Sequence, residues 1–375
     1  MLSFVLSKHQ SITMKILKKI GFFSAFIMPS LVILGVYLGG YWNFLTLFFT
    51  FAFIPLIDQI TGKDRKNLDE KTEVPLISNE LYYRFITYVW AFFQLGFVVW
   101  ATSVAAFSTL STPEWIGFVS GVMIVTGGIG ITVAHELGHK QDKFELFCAK
   151  IILMTVCYMH FIVEHNRGHH VHVATPLDKA TSKKNQSFYA FWVQSVVGGY
   201  KSAWHIQMDI LKKKNLRFFS AENEMLTYTI APILFAVALT AGFSLYAGVF
   251  LWVVPVFFVV QSVLGFTMLE LVNYIEHYGI IRKQLENGRY ERVTHLHSWN
   301  ASQMVSNFFL FQLQRHSDHH ANASRRYQIL RHFDESPQLP FGYPLMMVMS
   351  LVPPLWFKIM NKQLKDWEEK VYLAA

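Results

Sequence analysis

Long apolar runs separated by short polar stretches dominate the chain. Six of them approach the roughly 20 apolar residues needed to cross a bilayer core. They lie at about 20–40, 42–57, 85–107, 115–134, 226–248 and 251–272. Tight connections at residues 39–41, at about 108–114 and near Gly248 pair them into three hairpins. Residues 145–163 are apolar enough to lie against the membrane. So are residues 341–357, where Pro344, Pro353 and Pro354 favour an interfacial segment over a seventh span. No internal repeat or low-complexity linker divides the chain. The pattern predicts one all-α integral membrane domain over 1–375: six transmembrane helices in three hairpins, with a helical cap formed by 135–225 and 273–375.

Composition agrees with this reading. Hydrophobic residues make up 53% and charged residues 15%, against roughly 25% charged in an ordinary soluble domain. That balance excludes both a soluble surface and a disordered chain. The 33 Lys and Arg avoid all three hairpin turns. Four precede the first span, five fall in 58–84, twelve in 135–225 and twelve from 273 onward. By the positive-inside rule those segments, and both termini, face the cytoplasm. The net charge of +8 is thus a topology signal and requires no nucleic-acid partner. Lys15, Lys18 and Lys19 ahead of the first apolar run resemble a signal peptide. The run is too long and lacks a small-x-small cleavage site, so it reads as an uncleaved span.

Histidine supplies the chemistry. Nine of the 16 His fall in four clusters: His135 and His139; His165, His169 and His170; His277; and His316, His319 and His320. Residues four apart on a helix share a face, so His135/His139, His165/His169 and His316/His320 can each grip a cation. His170 and His319, one position off, can reach a second. Nine imidazoles are too many for one ion, and two ions with four or five ligands each is the simplest partition. All clusters lie at cytoplasmic span ends or in the cap. Imidazole suits Zn, Cu, Fe and Ni, so ligand type alone leaves the metal open. Glu136, Glu164, Glu276 and Asp318 flank the clusters as candidate acceptors for the far ring nitrogens. Of the other histidines, His172 and His297 are placed nearest the site; His9, His160, His205, His295 and His332 read as structural.

The stretches HELGHK (135–140), EHNRGHHVHVATPLD (164–178), NYIEHYG (273–279), HSWN (297–300) and LQRHSDHH (313–320) resemble integral-membrane di-iron enzymes. Within that superfamily of fatty-acid desaturases and hydroxylases, the closest similarity is to bacterial alkane 1-monooxygenases. The resemblance implies two non-haem irons held by the nine clustered histidines in the inner membrane. It also implies O2-dependent hydroxylation of the terminal methyl of medium- or long-chain n-alkanes. Electrons would come from NADH through a reductase and rubredoxin. A rubredoxin iron needs four thiolates and this chain has only Cys148 and Cys157, so that donor is a separate protein. Rubredoxins are acidic, and Lys212, Lys213 and Lys214, or Arg325 and Arg326, are candidate docking cations. A membrane desaturase or a xylene-type monooxygenase would share the metal site. From another class, a zinc protease would use His135, Glu136 and His139 alone. A metal transporter would place its ligands near the bilayer midplane.

Overall fold

The computed structural model describes residues 19–373; His9, Lys15 and Lys18 lie outside the described residues. Among these the chain is helical, with isolated bridges and no strand. Six helices are long and apolar enough to cross a membrane: Lys19–Leu38, Gly40–Thr61, Val74–Phe107, Thr112–Gly138, Glu224–Ala247 and Val253–Glu276. Several outrun their apolar stretches because a helix does not stop at the hydrocarbon edge. The second continues through Asp58 until Gly62, which adopts φ +75° and ends it. The fourth continues through His135 and Glu136 to Gly138.

The fourth span is the axis of the bundle. In its most apolar window 78% of residues are buried, against 17% for the fifth span. Lipid gives helices no hydrophobic reason to associate, so close packing through small residues does that work. At Gly127 the fourth span touches the sixth so closely that an added Cβ would lie 2.1 Å from the Gly265 carbonyl oxygen. At Gly130 a Cβ would lie 2.0 Å from Gln94 Oε1 on the third span. Gln94 itself accepts from Trp90 Nε1 (2.9 Å) and donates to Thr155 Oγ1 (2.9 Å), so the polar group inside the bundle is satisfied. Residues Ile124–Ile131 form a π-helical stretch, a local widening that often accompanies functional sites.

Between the spans, Lys143–Met154 lies across the third and fourth, burying Cys148, Ala149, Ile152 and Leu153. Phe188–Lys213 packs along the sixth span. The proline-containing segment near 341–357 splits into Tyr343–Ser350 and a helix starting at Pro353. Eight residues are too few to span, and Tyr343–Ser350 instead buries Tyr343, Met346 and Met347 against the sixth span. The end of the second span is sewn to the segment leading to His316. Asp58 Oδ1 accepts the backbone N–H groups of Val305 (2.9 Å) and Ser306 (3.1 Å), serving as a cap supplied from another helix.

Two neighbouring glycines test the crossing. Gly127→Ala should cost about 1–3 kcal/mol of stability through overpacking. A Cβ at Gly128 meets nothing closer than Met268 Cε at 3.5 Å, and Gly128→Ala should stay within about 0.5 kcal/mol of wild type. Thermal unfolding of the detergent-solubilised proteins reads both.

Candidate metal centre

The fourth span delivers the first pair of imidazoles. Thr132–Gly138 is regular α-helix, so His135 and His139 share a face, with ring centroids 5.0 Å apart. Glu136 and Lys140, on the same repeat, form a buried ion pair of 2.9 Å. Lys140 Nζ also donates to the carbonyls of Ser324 (3.4 Å) and Arg325 (3.3 Å). That contact pins the end of the span to the loop just beyond His320. The carboxylate of Glu136 therefore faces a lysine, whereas a zinc-protease base would face a metal-bound water.

The second cluster departs from the spacing argument. His165–His169 is a π turn, whose wider repeat brings residues five apart, not four, onto one face. His165 Nε2 meets His170 Nε2 at 3.0 Å, and His169 turns away to meet His320 Nε2 at 3.2 Å. The expected His165/His169 grip is thus replaced by His165/His170. His316–Ala321 is a short α-helix, and its His316 and His320 Nε2 atoms lie 2.9 Å apart. The intervening His319 reaches His170 at 3.2 Å. His277, at the end of the sixth span, meets His316 at 3.1 Å.

The nine rings sort into two groups. One holds His135, His139, His165, His170 and His319; the other holds His169, His277, His316 and His320. Within each, one ligand atom per residue lies within 4.8 Å of every other. The groups adjoin, with His170 stacked on His320 at 4.4 Å.

Hydrogen bonding cannot account for this convergence. His165 meets both His139 (3.0 Å) and His170 (3.0 Å) through Nε2, and His316 meets both His277 and His320 the same way. One ring nitrogen carries either one proton or one lone pair and satisfies one such contact. Lone pairs aimed at a common point repel unless a cation sits there. Two nitrogens each about 2.1 Å from one ion, at right angles, would lie about 3.0 Å apart, matching the observed contacts. Burial holds His139, His165, His170, His277, His316, His319 and His320 well below the ordinary histidine value. They are neutral, as metal binding requires.

The flanking acids take different places. Glu276 Oε2 lies 3.1 Å from His316 Nε2, at the rim of the four-histidine group, and its Oε1 accepts from Tyr343 Oη at 2.7 Å. Asp318 accepts from the Arg331 guanidinium (2.7 Å) and backbone N–H (2.8 Å), which orders the loop after the histidines. Glu164 lines a small pocket with Glu270 and Asn273, and burial lifts its carboxyl to about 8. The acid behind a ring is one the spacing argument missed. Asp178 lies 2.9 Å from His169 Nδ1 and is itself held by Thr181 Oγ1 and the Ala180 N–H. Burial depresses His169, yet the Asp178 carboxylate, joined by Glu164 and Glu270, offsets this and raises it above its ordinary value. His172 and His297 join neither group. His297 instead accepts the Thr294 N–H at Nδ1 and meets Glu291 at 3.3 Å.

The sequence model of the fatty acid desaturase family matches residues 112–349, a stretch that contains all nine clustered imidazoles. The chain is 44% identical over 329 residues to alkane 1-monooxygenase 2 of Pseudomonas aeruginosa, covering 87% of this chain and 85% of that protein. It is 40% identical over 360 residues to alkane 1-monooxygenase 2 of Alcanivorax borkumensis, with 94% and 92% covered. The chain belongs to the alkane 1-monooxygenase family. A more distant likeness, 25% identity over 90% of this chain and 87% of the other, links it to the xylene/toluene monooxygenase hydroxylase component of Pseudomonas putida. Membership in this family, together with the imidazole groups, points to iron as the metal and to a multi-pass membrane oxidoreductase.

Two measurements follow from the geometry. Asp178→Ala should lower iron affinity about 10–100-fold, the usual effect of losing the acceptor behind a ligating ring, measured as iron per chain after chelator dialysis. Burial depresses His139, His165, His170 and His319, so protons compete for them only below the ordinary histidine value of 6.5, whereas His169 is held above that value. As pH falls through 6.5, iron retention should weaken first at the four-histidine group that contains His169 and stay flat at the five-histidine group until more acidic buffer, measured as iron per chain on desalted samples.

Proposed function

We propose that this chain hydroxylates the terminal methyl of medium- or long-chain n-alkanes with O2, using two irons. His135, His139, His165, His170 and His319 hold one; His169, His277, His316 and His320 hold the other. The observation that carries this reading is the pair of adjoining imidazole groups, of five and four, in a chain of this family. Bound iron supplies the activation of O2 and the oxidising power. One oxygen atom enters a C–H bond, the other leaves as water, and two electrons and two protons are consumed.

The rest is the protein's part. An alkane offers no charge or hydrogen bond, only about 0.8 kcal/mol of burial per CH2. A narrow apolar cavity of about 40 Å³ lies among spans one, two, four and six, lined by Met28, Ile54, Ile124, Gly128, Met268 and Met347. Val272, also on its wall, precedes Glu276 by four residues, about 6 Å of helix. A chain seated there would lie in the bilayer interior with one end toward the four-histidine group. Tyr343 holds Glu276 in place beside that end, and the surrounding burial keeps bulk water from the reacting carbon.

Electrons come from reduced rubredoxin, recharged by an NADH-dependent reductase. We place the metal site and both termini on the cytoplasmic side of a bacterial inner membrane. The confinement of every Lys and Arg to one set of connections supports that orientation.

Purified enzyme loaded with iron should convert octane to 1-octanol when given O2 and reduced rubredoxin. Metal analysis should find about two irons per chain, the minimum the two groups require. Failure to form any primary alcohol, or one zinc in place of iron, would sink the reading.

A further inference from the structure

Of the nine imidazoles, seven are buried and only His139 and His170 reach partial exposure. Any donor must therefore approach through the covering of one of these rings or through a group bonded to a buried one. The residue beside His170 is Val171, 56% exposed. Its carbonyl accepts from Arg282 Nη2 (2.9 Å), and the Val173 carbonyl accepts from Arg282 Nε (2.7 Å). This buried arginine fastens the turn at 283–291 against the histidine segment. The turn is closed by Leu285 N–H to Arg289 O (2.7 Å) and Glu291 N–H to Lys283 O (3.0 Å).

The resulting face has an apolar centre beyond the end of the sixth span. Leu177 is 60% exposed, Ile281 56%, and Leu285 is exposed as well. Lys183 lines a pocket together with Ile281, and Lys283 and Arg289 are exposed on the adjoining turn. Glu291 is occupied by His297 and the Lys283 N–H, which leaves Glu286 as the opposing charge on the turn. An open pocket enters the same face between Pro176, Lys183 and Ile281, and Asp178 lines it. Asp178 is one hydrogen bond from His169. One face thus reaches the five-histidine group through His170 and the four-histidine group through Asp178.

Three of the other candidate docking cations are paired within the chain. Arg325 pairs with Glu70 (2.6 Å), Arg326 with Glu145 (3.0 Å), and Lys214 with Glu222.

We infer that the face formed by residues 171–184 and 281–291 is the docking surface for a small acidic one-electron carrier. This rests on the reading of the chain as an oxygenase fed by a separate protein. The apolar centre supplies contact area and the basic rim steers a negatively charged partner.

The test uses full-length, iron-loaded enzyme in nanodiscs of neutral lipid, with fluorescently labelled rubredoxin as the probe. The double variant Lys283→Glu/Arg289→Glu should weaken binding about tenfold at low salt and flatten its salt dependence, as loss of rim charge does. Under turnover it should raise the KM for rubredoxin while kcat and iron content stay at wild-type values. Lys183→Glu, on the other segment of the face, should act in the same direction and guards against one variant misfolding. Unchanged affinity and salt dependence in both variants would overturn the proposal. So would unchanged carrier binding alongside weakened binding to vesicles containing anionic lipid, which would give the face to the membrane. If wild-type enzyme oxidises no alkane with rubredoxin, the functional reading itself fails. If it does and the variants match it, only the docking surface is lost.

Discussion

Nine imidazoles with their ring nitrogens turned inward make an arrangement that a protein cannot hold without help. Each ring gives up water on burial, and each repels its neighbours at about 3 Å. A doubly charged ion at each focus would reverse the sign of that interaction. The surrounding architecture can be understood as the means of keeping the rings in place. The Glu136–Lys140 pair ties the fourth span to the loop after His320. Arg331 and Asp318 brace that loop from behind. Asp178 fixes the orientation of His169.

Much of this was legible in the residues alone, for physical reasons. A span declares itself by the length of its apolar run, because hydrocarbon tolerates no unpaired backbone, and the six expected spans match the six observed helices. The cations gather on alternate connections because moving them across a membrane is costly. Pairs such as His135/His139 and His316/His320 follow from the α-helical repeat, which holds at both places.

What escaped depends on departures from regular geometry. His165 pairs with His170 because the turn between them is π, and no propensity of His-Asn-Arg-Gly-His announces that widening. Asp178 sits nine residues beyond His169, past any helical repeat, and reaches it only because the chain folds back through Thr175 and Thr181. Its one visible trace was its position as the last residue of the stretch from 164 to 178. Of the acids adjacent in sequence to the histidines, Glu136 and Asp318 are committed to cations elsewhere.

The stitch between Asp58 and the backbone of Val305 and Ser306 couples two distant parts of the molecule. The second span cannot tilt without carrying along the short helix that leads toward His316. A helix adjusts its tilt to the thickness of the surrounding hydrocarbon, at a modest free-energy cost per ångström of mismatch. A change in acyl length that tilted the second span would therefore pull, through one carboxylate, on the helix that leads toward His316.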